Sequence, residues 1–291
     1  MNPGNLALYL NFVSRRHEIW EARQAGRPQP WTEDPVLASR KFTNVFRVLD
    51  PGSQFIFELD NDDPDPHDII TRLVLYRITN LPSTWEFVRA AIGRYPTVED
   101  ILEMHPLVGA LKAYRDAGNK VFSGAYIIIP EPGTANDKIE GAVRVTRRFV
   151  TDALPDFMIA QTQEQRFQAL SSTPGIGKFL AMQILTDWGY LQLENPEGGF
   201  IVAGPGARRG AAHLSELPAE EVIEILTSMW ENRGDVNVFD HTPSLMDVQN
   251  TLCEFSKYHR FTVGGKVFRP TPYRPAHPGP QPFPLLPAWM R

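Results

Sequence analysis

One short segment carries the residue types that bind a phosphate group without reading a base. The junction of two apolar helical stretches reads Pro174, Gly175, Ile176, Gly177 and Lys178. Two glycines allow a tight turn, and the isoleucine between them would plug the interface of the two helices. The first N–H groups of the second helix, beside Lys178, suit a DNA phosphate. The pattern predicts a helix-hairpin-helix at about residues 163–188, although a plain helical corner would use the same residues.

The elements around this hairpin are predicted to be helices almost throughout. Apolar residues recur at three- and four-residue spacings over residues 6–22 and 68–79. Further helices are predicted at residues 82–92, 98–103, 106–117, 139–153, 163–170, 178–188, 219–232 and 245–259. Strand signals are confined to residues 126–129 and to residues 261–268 around Gly264 and Gly265. The sequence therefore predicts a mainly α fold with few short strands.

The chain of 291 residues is long enough for one large domain or two lobes, which we place at residues 1–268. Residues 269–291 are rich in proline, which removes backbone donors and favours an extended tail. This tail suits a partner that binds polyproline. It could equally wrap its own protein through Phe283, Leu285, Leu286 and Trp289.

Composition narrows the class of protein. No apolar run approaches the length of a membrane span, and the first residues do not resemble a signal peptide, so we expect a cytoplasmic protein without a membrane partner. The single cysteine, Cys253, excludes an internal disulfide and a cysteine-rich zinc site. A net charge of −5 does not exclude DNA binding, because DNA enzymes often confine basic residues to one face. No metal or other cofactor is expected.

The hairpin and the segment after it, residues 163–210, resemble the base-excision DNA glycosylases of the helix-hairpin-helix superfamily. The resemblance implies a glycosylase-like helical fold. Those enzymes carry an aspartate where residues 200–206 here offer only small and apolar side chains, and their lyase lysine corresponds to Phe179. An oxocarbenium-like transition state needs a negative charge beside it. We therefore expect no cleavage of glycosidic bonds.

Motifs spread along most of the chain carry a wider resemblance. They include Pro30-Trp31-Thr32, Phe42-Thr43-Asn44-Val45-Phe46-Arg47 with Asp50, Tyr76-Arg77, Thr186-Asp187, Gly204-Pro205-Gly206-Ala207-Arg208-Arg209-Gly210 and Leu252-Cys253-Glu254-Phe255. In this order they are similar to the alpha-glutamyl/putrescinyl thymine pyrophosphorylases. These phage amino acid:DNA transferases are also described as the helical domain of 5-hydroxymethyl-deoxyuridine (5-hmdU) DNA kinases.

The resemblance implies a substrate and a reaction. The substrate would be double-stranded phage DNA whose thymines carry 5-pyrophosphoryloxymethyl groups, made from 5-hmdU by a kinase of the same pathway. An amine, such as the amino group of glycine, would replace pyrophosphate. The cell would then be the phage-infected bacterial host.

The leaving group in this reaction is multiply anionic and needs fixed cations. Arg208 and Arg209, beside Gly204 and Gly206, can offer forked donors and backbone N–H groups to a pyrophosphate. The same arginines could hold the DNA backbone instead.

The incoming ammonium must lose a proton before it attacks, so a carboxylate is required. Asp187 and Glu254 are the candidate bases. Asp187 could instead cap a turn before Gly189, and Glu254 could form an ordinary ion pair with Lys257, three residues along a helix. Cys253 is expected to be packed, although covalent addition to the base is conceivable for a thiol at this position.

Other polar residues of these motifs are assigned to the base or the amino acid. Arg47 is expected at the catalytic centre, and binding is assigned to Asn44, Gln54, Arg77, Tyr126 and Lys257. Each of these side chains could instead tie helices together, and aromatic residues more often fill the core.

Two functions of other classes stay open at this stage. A non-catalytic DNA-binding module would only present DNA to a partner enzyme. A divergent glycosylase would need a displaced carboxylate, for which Asp187 is the one plausible source. No GxxxxGK[ST] motif occurs in the sequence, which argues against a P-loop kinase within these residues.

Overall fold

The computed structural model describes residues 1–62, 64–124, 137–191, 199–264 and 284–290. Within these ranges the chain is mainly helical, and its paired extended backbone amounts to isolated bridge residues, such as the antiparallel bridge between Val238 and His241 and the bridge residue Arg40. The mainly α prediction is therefore confirmed. The strand predicted at 126–129 lies outside the described residues. The strand predicted from Phe261 is wrong at its start, because the helical periodicity of the preceding residues continues to Thr262.

The helices, in chain order, are α1 (Pro3–Gln24), α2 (Pro35–Ser39), α3 (Pro51–Gln54), α4 (Pro66–Thr79), α5 (Pro82–Ile92), α6 (Val98–Glu103), α7 (His105–Asp116), α8 (Lys138–Asp152), α9 (Leu154–Ile159), α10 (Gln163–Ser172), α11 (Lys178–Leu191), α12 (Pro205–Leu214), α13 (Ala219–Arg233) and α14 (Leu245–Thr262). They divide into two units. The terminal unit comprises Met1–Asp50 and Glu197–Arg291, and the central unit comprises Pro51–Pro196. Among the described helices, none combines the length and the apolar character that a membrane span requires.

Aromatic side chains fill the core of the terminal unit around α14. Tyr9 on α1 and Phe255 on α14 meet edge to face with ring centroids 5.4 Å apart. Phe12 lies against Tyr258, with centroids 4.8 Å apart. A capping box at Ser244 satisfies the first N–H groups of α14 and fixes where the helix begins. One face of α14 is thereby committed to the core, which leaves its other faces for polar contacts.

The glycine-rich segment of the terminal unit begins a helix, α12, that packs directly on α14. A Cβ atom at Gly206 would lie 2.2 Å from Cys253 Sγ, and one at Gly210 would lie 2.1 Å from the carbonyl oxygen of Leu252. The two glycines are four residues apart and so share one face of α12. Their missing side chains let the backbones of the two helices approach closely, a packing role that accounts for both residues.

Helix α4 is the centre of the central unit. Every residue from 69 to 79 is buried, and so is every residue of α11 from 181 to 190. Helices buried on all sides need neighbours on all sides, and α4 packs against α8 and α11. The fully enclosed stretches nevertheless include the charged residues Arg77 and Asp187, which must be paired to be tolerated there.

The described end of the tail packs on its own protein. Leu286 and Met290 are buried in the terminal unit, and the Trp289 ring meets His241 with centroids 6.2 Å apart. Leu285, predicted to pack, is exposed, and Phe283 lies outside the described residues. Ala288–Met290 form a 3₁₀ turn rather than extended chain. Residues 284–290 therefore favour the self-wrapping interpretation of the tail.

Candidate functional site

A row of polar side chains runs along α14 in the terminal unit. Its members are three or four residues apart, and so they lie on one face of the helix: Asp247, Asn250, Glu254 and Lys257. They face residues 41–50, which we call the strap. This arrangement brings residues about 200 positions apart in sequence into direct contact.

Each member of the row holds the strap by its backbone. Asp247 Oδ1 accepts from the N–H of Arg47 at 2.6 Å, and Glu254 Oε2 accepts from the N–H of Thr43 at 3.1 Å. Asn250 donates to the carbonyl of Asn44 at 3.1 Å, and Lys257 donates to the carbonyl of Lys41 at 2.8 Å. The strap is consequently fixed in position by α14, although it is irregular for most of its length.

Asn44 forms hydrogen bonds in the strap through both its side chain and its backbone. Its Oδ1 accepts from Arg16 Nη2 at 2.7 Å, and its Nδ2 donates to the carbonyl of Leu49 at 2.8 Å. Its backbone N–H donates to Asp50 Oδ1 at 2.9 Å. Both ends of the Asn44 amide thus form hydrogen bonds within the protein. A role in tying helices together therefore describes Asn44 better than recognition of a base.

Asp50, at the end of the strap, was not among the predicted site residues. Burial raises the pKa of this carboxyl to about 6, although the Asn44 N–H and the charges of Arg16 and Arg47 act to lower it, and Glu254 adds to the rise. Carboxylates with perturbed pKa values mark candidate functional sites. The sequence signal available was its place in the motif after Arg47, which by itself does not separate a functional aspartate from a cap.

Arg47 opens a short 3₁₀ turn in the strap and is 4% exposed. Its charge acts on Asp50, so the structure brings this predicted residue and an unpredicted carboxylate together.

Glu254 and Lys257 form the ion pair that the sequence allowed as an alternative, with Lys257 Nζ 2.6 Å from Glu254 Oε2. The ammonium also lies over the Phe42 ring, 4.4 Å from its centroid. Glu254 is mostly buried, with 14% of its side chain exposed. Its carboxylate thus accepts hydrogen bonds from both the Lys257 ammonium and the Thr43 N–H of the strap.

The four residues predicted to bind pyrophosphate differ in how far other residues of the protein already contact them. Arg208 donates to Glu220 Oε1 at 2.8 Å and to the carbonyl of Ala203 at 3.0 Å. The N–H of Gly204 donates to Gln249 Oε1 at 2.9 Å, and Gly206 packs on Cys253. Arg209, by contrast, is exposed on the first turns of α12 and makes no hydrogen bond or ion pair with any residue that the structure describes.

Cys253 lies beside this segment with its sulfur toward Gly206, but the residue as a whole is exposed, so the prediction that it is packed is wrong. Desolvation by the surrounding protein raises the pKa of its thiol, and Glu254 raises it further, against the opposing charges of Lys257, Arg209 and Arg260. A raised thiol pKa keeps the group protonated near neutrality and disfavours covalent addition to a base.

Asp187 and Arg77 pair inside the central unit. Asp187 Oδ1 accepts from Arg77 Nη2 at 2.7 Å, and its Oδ2 accepts from Arg77 Nε. The carboxylate is fully buried and the guanidinium is 5% exposed on its side chain. Arg77 also donates to Asn80, which donates in turn to Ser123. Both predicted residues therefore join α4 to α11, and a bidentate buried carboxylate is poorly placed to receive a proton from a substrate.

Gln54 and Tyr126 were also predicted to bind the base or the amino acid. Gln54 ends α3 in the central unit. Tyr126 lies outside the described residues.

The predicted hairpin lies between α10 and α11 of the central unit. Gly175 adopts a φ of +101°, and a Cβ there would lie 2.5 Å from Val145 Cγ2, so this position requires glycine. Ile176 is 2% exposed, as expected for a plug. A Cβ at Gly177 would meet nothing within 4 Å, and Lys178 is exposed. The second glycine is therefore not demanded by packing and leaves open space beside the first N–H groups of α11.

Clusters of three or more His, Cys, Asp or Glu side chains suited to a metal ion do not occur among the described residues.

Comparisons with known proteins identify relatives of the chain. Residues 4–266 match the family model described as "5-hmdU DNA kinase, helical domain". A "5-hmdU DNA kinase" of Bacillus phage SP10 is 24% identical over 290 residues, covering 87% of this chain. The chain spans 44% of that relative's length. No solved structure matches, so the likeness to DNA glycosylases stays a prediction. Since the family model covers most of its length, this chain belongs to the family of 5-hmdU DNA kinase helical domains.

Proposed function

We propose that this protein takes part in the hypermodification of 5-hmdU in phage DNA, and that it transfers an amine onto 5-pyrophosphoryloxymethyl-deoxyuridine with release of pyrophosphate. The observation that carries the proposal is the family match over residues 4–266 together with a relative named for 5-hmdU DNA. The amine donor is an amino acid such as glycine. The reaction belongs in the cytoplasm of the infected bacterium, where a 5-hmdU DNA kinase would act before it.

The start of α12 offers a site for the departing pyrophosphate. Helix α12 has no side-chain cap at Gly204, and since Pro205 has no N–H, the N–H groups of Gly206 and Ala207 are the ones that an anion could bind. Arg209 stands on the same turns as an exposed guanidinium, which can bind phosphate oxygens with two parallel hydrogen bonds. Arg208 contributes less, because Glu220 and Ala203 already hold it.

Removal of a proton from the incoming ammonium falls to the terminal unit. Glu254 is a candidate base, although Lys257 and the Thr43 N–H compete for its Oε2. Arg47 and Lys257 supply positive charge near the strap that would suit the carboxylate of an amino acid. We leave Asp187 out of the reaction, because Arg77 binds both of its oxygens in a buried position.

Duplex DNA would be gripped through its backbone by the central unit. The open space at Gly177, the first N–H groups of α11 and the exposed Lys178 form a suitable phosphate contact. Such a contact positions DNA without reading its sequence. Selection of the modified base then depends on the charge that the pyrophosphate adds.

A second candidate function is a non-catalytic module that presents DNA to a kinase. The buried pairing of Asp187 and the engagement of Arg208 favour it, because each removes a predicted catalytic or binding group. A relative more than twice as long as the matched region is consistent with a separate catalytic part. The divergent glycosylase is disfavoured by the same pairing of Asp187, since that carboxylate was its one plausible source of charge.

Arg209→Ala is expected to weaken binding to pyrophosphorylated duplex about 10-fold or more, and to weaken binding to unmodified duplex much less. The loss corresponds to one charge-assisted contact, about 1.5–3 kcal/mol. The neighbouring Arg208→Ala serves as the matched control, because its guanidinium is already bonded to Glu220. Fluorescence anisotropy at one fixed salt concentration measures both. Equal losses on the two DNAs for Arg209→Ala would reassign this arginine to the DNA backbone.

The transfer itself is tested by incubating the protein with pyrophosphorylated duplex and a mixture of amino acids, and then analysing the digested nucleosides by mass. An amine-bearing nucleoside supports the transferase. Tight binding of the modified duplex with no new nucleoside supports the presenting module instead.

A further inference from the structure

Asp50 ends the strap with one of its two carboxylate oxygens fixed. Oδ1 accepts from the backbone N–H of Asn44 at 2.9 Å, and Asn44 is itself held by Arg16 and Leu49. Oδ2 accepts no hydrogen bond from any residue in the described ranges. The side chain is partly buried. A carboxylate with one oxygen hydrogen-bonded and the other left without a donor can still accept a proton.

The charges of groups on three elements act on this carboxylate. Arg16 comes from α1, Arg47 from the strap and Glu254 from α14, and the charge of each acts on Asp50. Glu254, the rival base, is engaged by Lys257 at 2.6 Å and by the Thr43 N–H at 3.1 Å. The carboxylate of Glu254 is therefore engaged in an ion pair, whereas the carboxylate of Asp50 is not.

Resting on the proposed function, we propose that Asp50 is the general base that takes a proton from the ammonium of the incoming amine. The ammonium loses one proton to Asp50 Oδ2 and becomes a neutral amine. Its lone pair then forms a C–N bond to the methylene carbon on C5 of the base as the C–O bond to pyrophosphate breaks. Pyrophosphate departs with that bonding pair, and the new secondary ammonium later loses its second proton to water.

The protonation behaviour of Asp50 is consistent with this role. Burial and Glu254 raise its pKa to about 6 against the Asn44 N–H, Arg16 and Arg47. A base with a pKa just below the working pH is mostly deprotonated and still accepts a proton well. The rate of transfer should therefore rise with pH through about 6, where Asp50 becomes a carboxylate.

The test replaces Asp50 with asparagine, which keeps an oxygen for the Asn44 N–H and removes the base. Asp50→Asn is expected to slow transfer by about 100-fold or more and to abolish the acid limb of the pH–rate profile. Its affinity for pyrophosphorylated duplex should change less than 3-fold, roughly, since general-base catalysis acts on the chemical step. Glu254→Gln is the rival arm and should keep an acid limb, displaced to lower pH, because the charge of Glu254 helps to raise the pKa of Asp50. Asp235→Asn, an exposed carboxylate of the same unit, is the matched control and should keep both rate and limb.

The outcomes separate this inference from the proposed function. If the unaltered protein makes no amine-bearing nucleoside at any pH, both fail. If it does so, and Asp50→Asn keeps the acid limb with a rate within roughly 3-fold, the assignment of Asp50 alone is overturned. If Asp50→Asn does not fold, Asp50→Glu decides: a slower reaction with a shifted acid limb supports Asp50, and an unshifted limb at full rate overturns it.

Discussion

Asp187→Ala is expected to lower the free energy of unfolding by about 3–5 kcal/mol, because it leaves the Arg77 guanidinium buried without its partner. The carboxylate is fully enclosed and the guanidinium nearly so, and hence water cannot replace the lost contact. Urea denaturation followed by circular dichroism measures the loss. A double substitution, Arg77→Met with Asp187→Leu, should recover most of it, since removing both charges leaves neither of them unpaired.

The exposed ion pair between Arg233 and Asp235 provides the control, with 40% and 49% of the two side chains exposed. Asp235→Ala should cost about 1 kcal/mol or less, because exposed pairs are solvated when separated. If Asp187→Ala stays within about 1 kcal/mol of the original protein in stability but loses the transfer activity, Asp187 would again be a candidate base.

Gly210→Ala is expected to lower the free energy of unfolding by about 1–3 kcal/mol, as an overpacked position does. The added Cβ would lie 2.1 Å from the carbonyl oxygen of Leu252, and a backbone atom cannot rotate away. Helices α12 and α14 would have to separate. Thermal unfolding measures the effect, and Gly109→Ala is the matched control, because a Cβ at that position in α7 meets nothing within 4 Å. The control should gain about 0.5–1 kcal/mol from the better helix former.

Gly206→Ala should behave differently from Gly210→Ala, since its obstacle is the sulfur of Cys253 at 2.2 Å. Adding Cys253→Ala removes that sulfur and should recover part of the lost stability. If Gly210→Ala were as stable as the original protein, the close packing of α12 on α14 would be wrong.

Local signals were sufficient to predict most helices. The helix predicted at 219–232 is observed as Ala219–Arg233, and the one at 178–188 as Lys178–Leu191. Caps, apolar spacing and glycine breaks lie within a few residues of the elements they specify. The strand predicted from Phe261 failed for the opposite reason, because β-branched and aromatic residues at the end of a long helix follow the helix already begun.

The sequence did not predict which residues far apart in the chain would contact each other. The partner of Asp187 lies 110 residues away at Arg77, and the strap meets α14 across roughly 200 residues. Nothing local distinguishes a carboxylate that will be paired in a core from one that stays open. The sequence therefore predicted Asp187 as a base without showing that Arg77 would pair with it, and it did not single out Asp50, the base that we propose. It predicted Gly206 as a phosphate contact and could not show that this glycine also lets α12 pack on α14.

We propose that this chain replaces pyrophosphate with an amine on a thymine-derived base. The most direct measurement follows pyrophosphate release and the mass of digested nucleosides in one reaction, with duplexes containing thymine, 5-hmdU or its pyrophosphate ester, each with and without glycine. We expect release and a glycine-bearing nucleoside only from the ester, and only when glycine is present. Release that is independent of any amine, or abasic sites in place of an amine adduct, would contradict the proposed transfer.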